Sequence, residues 1–181
     1  YVWTPDFVKV QVEDVKDDER LPKISWDSQG LHKAKGVLQI IHGMRECIAR
    51  YEEFADLLTA EGSIVVGHDH LGHGASAIEG EKSHVSREFG GAGWVQDAHN
   101  LRKIVCKSLH ESYGDDAQEA AEKLSCEAPG TGKEADTLCP CPYFIFGHSM
   151  GSFVLRNYIM EHSSNLAGII VCGTGFQGGP K

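Results

Sequence analysis

Tyr143-Phe144-Ile145-Phe146-Gly147-His148-Ser149-Met150-Gly151 decides the fold of this 181-residue chain. Four apolar residues, a strand's length, run straight into a Gly-x-Ser-x-Gly pattern, and the apolar spacing over 152–162 predicts a helix directly after it. The pattern alone is weak, because a chain with 21 glycines supplies about 0.17 such matches by chance. Its setting between strand and helix is specific. A serine on so sharp a turn is held in strained backbone geometry, and glycines two before and two after remove Cβ atoms that would collide with neighbouring backbone. The Ser149 hydroxyl then projects clear of the sheet as a nucleophile, and the N–H of Met150, at a helix N-terminus, is placed to stabilise the negative oxygen of a tetrahedral intermediate.

Outward from this elbow the apolar runs alternate with helical spacing. Residues 36–41 (Gly-Val-Leu-Gln-Ile-Ile) read as a strand buried on both faces. Tyr51, Phe54, Ala55 and Leu58 then recur at helical spacing until Gly62 stops the helix. A second buried strand follows at 63–67, and Trp94, Ala98, Leu101 and Val105 share one face of a helix running to about Leu109. Residues 167–172 read as another doubly buried strand, and two opening antiparallel strands, 7–13 and 21–26, are expected at a sheet edge. Strand, helix, strand, helix is the doubly wound pattern, so the expected fold class is α/β with a mostly parallel sheet of about six strands in one domain over 1–181. Residues 111–142 break the rhythm with Glu, Ala, Asp and Gly, and are expected to form a surface excursion with a short helix near 118–124.

Charge and composition narrow the function. The net charge of −9, with 26 acidic against 17 basic residues, argues against nucleic acid or an anionic membrane surface as the main partner and favours a neutral or small-molecule substrate. Six cysteines without a repeated CxxC pair signal neither a disulfide framework nor zinc, and Cys139-Pro140-Cys141 reads as reduced thiols. No run approaches a membrane span and the opening residues show no signal-peptide pattern, so the expectation is a cytoplasmic protein with at most peripheral membrane contact and no cofactor.

Two further segments bear on chemistry. After the strand ending at Ile41 comes His42-Gly43-Met44, whose Met44 N–H is the candidate second oxyanion donor. His42 precedes the serine, whereas this arrangement places its base after it, so His42 is expected to organise the loop. His68-Asp69-His70-Leu71-Gly72-His73 gathers three histidines and an aspartate, but the spacing follows no metal-ligand pattern, and a buried hydrogen-bonded loop is expected with no metal.

Taken together, His42-Gly43-Met44, Asp69-His70-Leu71-Gly72-His73-Gly74-Ala75-Ser76 and Gly147-His148-Ser149-Met150-Gly151 resemble the monoacylglycerol lipase and lysophospholipase group of α/β-hydrolases, also described as serine aminopeptidase-like hydrolases. The resemblance runs from about Lys35 to the end and implies esterase or lipase chemistry on a monoacylglycerol, lysophospholipid or similar single-chain ester. It implies Ser149 as nucleophile, Met44 and Met150 as backbone oxyanion hole, and Gly43 and His148 against the substrate. Where the family often carries Glu-His after the oxyanion turn, this chain has Glu46-Cys47. A non-catalytic lipid- or partner-binding protein, and a peptidase or acyltransferase, share the same scaffold and are the competing readings.

The family's acid and base follow a cap segment, and here only 32 residues follow Ser149. His162 is the one histidine among them and falls on the helix after the elbow, while Glu161 is the one carboxylate side chain. The apolar run at 169–171 would also be left as an uncovered edge. The expectation is therefore that a further segment, continuous or as a second polypeptide, supplies the cap, two strands, the acid and the His, and that these 181 residues alone are nearly inert.

Overall fold

The computed structural model describes residues 1–13, 23–77, 90–114 and 138–175. Its centre is β4 (Val37–Ile41), apolar at four of five positions and buried along its whole length. β5 (Ile64–Gly67) pairs with it in parallel on one side and β6 (Tyr143–His148) in parallel on the other; β7 (Gly168–Cys172) extends the sheet beyond β6, again in parallel. The far edge is β1 (Val2–Trp3), antiparallel to β5, so the order is β1-β5-β4-β6-β7.

Helices cover both faces because the central strands are apolar on both. Alternate residues Val37, Ile41, Ile64, Val66, Tyr143 and Ile145 pack with α3 (Gly90–Tyr113) and α4 (Met150–Glu161). The intervening Leu38, Ile40 and Val65 pack with Ile48 and with Ala55 of α2 (Glu52–Ala60). A single turn, α1 (Ser28–Leu31), precedes β4; a 3-10 turn, Ile48–Tyr51, leads into α2, and Gly62 at φ 93° takes the left-handed position that ends it. One polar side chain sits in mid-sheet: Gln39 donates to the Ala98 carbonyl at 2.9 Å and accepts from the Tyr143 hydroxyl at 2.8 Å, so its burial leaves the amide paired.

Several expectations are corrected. The opening strands, β2 (Val10–Glu13) and β3 (Lys23–Trp26), do not edge the main sheet; they pair with each other as a separate two-stranded ribbon. Ile24 and Trp26 sink into the α3 core, with the indole donating to the Ser108 hydroxyl at 2.8 Å, and the two-residue β1 takes the edge instead. A strand that short carries no alternation to detect. The run at 167–172 does form a strand, β7, and its Ile169, Ile170 and Val171 are exposed, the uncovered edge expected of this run. The excursion is also shorter at both ends than expected. α3 continues to Tyr113, whose hydroxyl donates to the Leu31 carbonyl, and Cys139 and Cys141 are buried in the main core beside Cys106. The helix expected at 118–124 lies outside the described residues. Among the described residues no helix is long and apolar enough to cross a membrane.

Candidate active site

β6 ends and α4 begins on either side of Ser149, which stands at φ 52°, ψ −118°. That backbone costs a non-glycine residue about 1–3 kcal/mol and persists only where its surroundings hold it. Here the Ser149 N–H donates to the Cys172 carbonyl at the end of β7 at 2.9 Å. The Ser149 carbonyl accepts the Ser152 N–H at 3.0 Å and the Ser152 hydroxyl. The neighbouring sheet strand and the first turn of α4 thus grip the residue from both sides.

The glycines of the motif mark close approaches. A Cβ on Gly151 would stand 2.6 Å from the His42 carbonyl oxygen and closer still to that of Ile41, and one on Gly147 would meet the Gly151 oxygen at 2.6 Å. The N-terminus of α4 therefore lies directly on the backbone at the end of β4. This contact brings the His42-Gly43-Met44 turn beside the elbow: a Cβ on Gly43 would lie 3.1 Å from Cβ of Ser149. The Met44 side chain is exposed at 61%, and Arg45 at φ 59° turns the chain away. Among the described residues, neither the Met44 nor the Met150 N–H is taken up by a carbonyl in a turn, loop or cap.

His42 is fully buried and both ring nitrogens are engaged. The His70 N–H reaches its Nε2 at 3.0 Å, so Nε2 accepts; Nδ1 therefore carries the hydrogen and donates to the Gly43 carbonyl at 2.8 Å. Burial pushes its pKa down, in keeping with a neutral ring. Asp69, behind it, accepts the Ile48 N–H at 2.7 Å and the Ala75 N–H at 2.8 Å, which ties the 68–76 segment to the start of the 3-10 turn. Among the described residues the histidines here meet ring to ring, His42 and His70 with centroids 4.2 Å apart, and no group of three side chains is arranged to hold a metal. Ring nitrogens of His68, His70 and His73 and the Trp94 indole N–H are buried without a hydrogen-bond partner among the described residues.

His148, expected against the substrate, turns its Nδ1 to Tyr51 (3.1 Å) and Glu46 (3.4 Å) and is about one-third exposed. Glu46 accepts the Gly43 N–H at 3.1 Å and the Tyr51 hydroxyl at 2.8 Å. Nothing in the sequence marks Glu46 and Tyr51 as part of the site; the spacing of Tyr51 reads only as a helix-face position. His162 caps the far end of α4 rather than lying inside it, stacked on His99 with centroids 3.7 Å apart. Twelve helical residues, about 18 Å, separate it from the elbow. Neither the acid nor the base of a triad is therefore found beside Ser149 among the described residues.

The family profile described as "Serine aminopeptidase, S33" matches residues 32–181. Monoglyceride lipase of Homo sapiens is 28% identical over 146 residues, and that of Rattus norvegicus 41% over 146 residues; each match takes in 81% of this chain and 36% of the relative. The chain thus spans about a third of the length of these relatives. Among solved structures, a thermostable carboxyl esterase from Bacillus coagulans in complex with glycerol superposes with a TM-score of 0.58 at 27% identity, covering 93% of this chain and 44% of that one. A soluble variant of monoglyceride lipase from Saccharomyces cerevisiae, bound to a substrate analog, shares the fold with a TM-score of 0.51 at 21% identity, over 92% of this chain and 44% of that one.

Proposed function

This chain belongs to the serine aminopeptidase S33 family of α/β-hydrolases, and from that premise we propose that it is the nucleophile-bearing part of an enzyme that hydrolyses carboxylic esters of single-chain lipids. The observation that carries the reading is the strained Ser149, gripped between β7 and α4 with the Gly43 turn against it. Strained backbone of this kind clusters at functional sites, and here the turn stands at the C-terminal edge of a parallel sheet, where open α/β folds bind ligands.

In the proposed reaction the Ser149 oxygen attacks the ester carbonyl and gives its proton to a histidine base. The carbonyl oxygen becomes an oxyanion facing the Met44 and Met150 N–H groups. The intermediate collapses, the acyl–oxygen bond breaks, and the alcohol leaves with the proton from the histidine. Water, deprotonated by the same base, then attacks the acyl carbon; the bond to the Ser149 oxygen breaks, the acid leaves, and the base returns the proton to Ser149. The base and its orienting carboxylate are assigned to a part of the protein outside these residues. The ester class follows from the relatives, which are named as monoglyceride lipases and a carboxyl esterase.

The test is labelling of the full-length protein with a fluorophosphonate, followed by peptide mapping, alongside hydrolysis of a monoacylglycerol, a lysophospholipid and an aminoacyl anilide. Labelling of Ser149 with turnover of the lipid esters is the expected result. A folded full-length protein that takes no label at Ser149 would refute the mechanism, and preferential turnover of the anilide would replace ester with peptide chemistry.

A further inference from the structure

Two elements form the proposed site, the turn after β4 and the elbow, and they come from strands adjacent in the sheet but more than a hundred positions apart in sequence. One carboxylate joins them. Glu46 bends back three residues to take the Gly43 N–H at 3.1 Å, and Oε2, the same oxygen, takes the Tyr51 hydroxyl at 2.8 Å. Tyr51 has a single hydroxyl hydrogen, and an ionised carboxylate can only accept. The hydrogen between the Tyr51 oxygen and Nδ1 of His148, 3.1 Å apart, must then come from the imidazole, which fixes the Nδ1–H tautomer and also points that hydrogen toward Glu46 Oε1 at 3.4 Å. Burial works against the charge on Glu46, but the bonds from Tyr51 and Gly43 together with the neighbouring His148 outweigh it and hold its pKa below the ordinary value.

Gly43 is pinned at both ends. Its N–H is held by Glu46 and its carbonyl by Nδ1 of His42 at 2.8 Å. In a trans peptide the N–H of the next residue points opposite to that carbonyl. Once the Gly43 carbonyl faces His42, the Met44 N–H is directed to the other side of the peptide plane. The far end of the cluster is His148, the residue immediately before Ser149.

We propose that Glu46 and Tyr51 are positioning residues, which register the oxyanion turn against the nucleophile strand through the carboxylate that joins Gly43, Tyr51 and His148. This rests on the assignment of Ser149 as nucleophile and adds to it the elements that set the distance between the attacking oxygen and the Met44 N–H. Neither side chain is required to touch the substrate. Their effect is on geometry, where errors of about 1 Å cost on the order of a hundredfold in rate.

The test uses the full-length enzyme and the variants Tyr51→Phe and Glu46→Gln, each nearly isosteric. Melting temperature, kcat and KM for the best ester substrate, and the rate of fluorophosphonate labelling are measured for each. The expected result is a fall in kcat of about tenfold to a hundredfold, KM within about twofold, a matching fall in labelling rate and an unchanged melting profile. The double variant should lose no more than the worse single one, because both break the same link. Unchanged kcat in Tyr51→Phe and Glu46→Gln overturns the proposal, as does a raised KM with kcat intact, which would make these residues substrate contacts. Absence of label in the wild-type protein is the separate result that removes the nucleophile assignment itself and this proposal with it.

Discussion

Replacing Gly151 by alanine adds one methyl group at the point where α4 meets β4. That Cβ would lie 2.6 Å from the His42 carbonyl oxygen, nearer still to that of Ile41, whereas ordinary contact begins at 3.4 Å. Both obstacles are backbone, so no rotamer change relieves them. The helix start must withdraw from the strand by at least about 0.8 Å on the His42 side and further on the Ile41 side. The segment that moves begins at Met150, next to the proposed nucleophile Ser149, and the segment it moves away from leads into Gly43 and Met44. A separation approaching 1 Å between the proposed nucleophile and its proposed oxyanion donor predicts a loss of on the order of a hundredfold in kcat/KM. Overpacking of this kind should also destabilise the fold by about 1–3 kcal/mol. The assay is the second-order rate of fluorophosphonate labelling at Ser149 in the full-length protein, paired with denaturant unfolding. Gly91→Ala is the matched control. A Cβ at Gly91 meets nothing within 4 Å, and an alanine here in the first turn of α3 should leave stability within about 1 kcal/mol of wild type without slowing labelling. If Gly151→Ala labels and unfolds like the wild type, the close approach of α4 to β4 is wrong, and with it the account of how the site is assembled.

Ser149→Gly should abolish turnover yet raise stability by about 1 kcal/mol, since glycine tolerates φ 52° without the Cβ penalty; a calorimetric or denaturant midpoint equal to or below wild type would contradict the strain. Stability should also fall on mild acidification. Burial, then the neighbouring His42, lowers His68 from 6.5 to about 4 and His70 to about 2. Folded rings that resist protonation bind fewer protons than the unfolded chain below pH 6.5, so their contribution is complete above 6.5 and is lost progressively as the pH falls from 6.5, toward 4 for His68 and toward 2 for His70. For His70, which is fully buried, the loss is about 1.4 kcal/mol per pH unit. Melting temperatures between pH 7.5 and 5 should decline, and His70→Asn should flatten the slope; a flat wild-type profile over that range would show that these rings are not held neutral.

The elbow was legible because local physics dictates it. An apolar strand, a serine between spaced glycines and an amphipathic helix occupy one continuous stretch, and each part constrains the next. The same holds for β4, β5, α2 and α3, whose periodicities mark a sheet covered on both faces. The profile match over 32–181 agrees with the family named from the three motifs.

What periodicity reports is which residues are apolar and on which face, never the partner across space. Nothing at positions 46, 51 and 148 announces that they meet, since the Tyr51–His148 contact spans 97 positions and arises only from the parallel register of β4 with β6. The separate ribbon of β2 and β3 and the burial of Cys139 and Cys141 against α3 were likewise decided by packing. Sequence by itself determined that Ser149 sits on a strained turn between strand and helix. Only the tertiary structure decided which groups stand around it, because distances between segments are set by the sheet that binds them together.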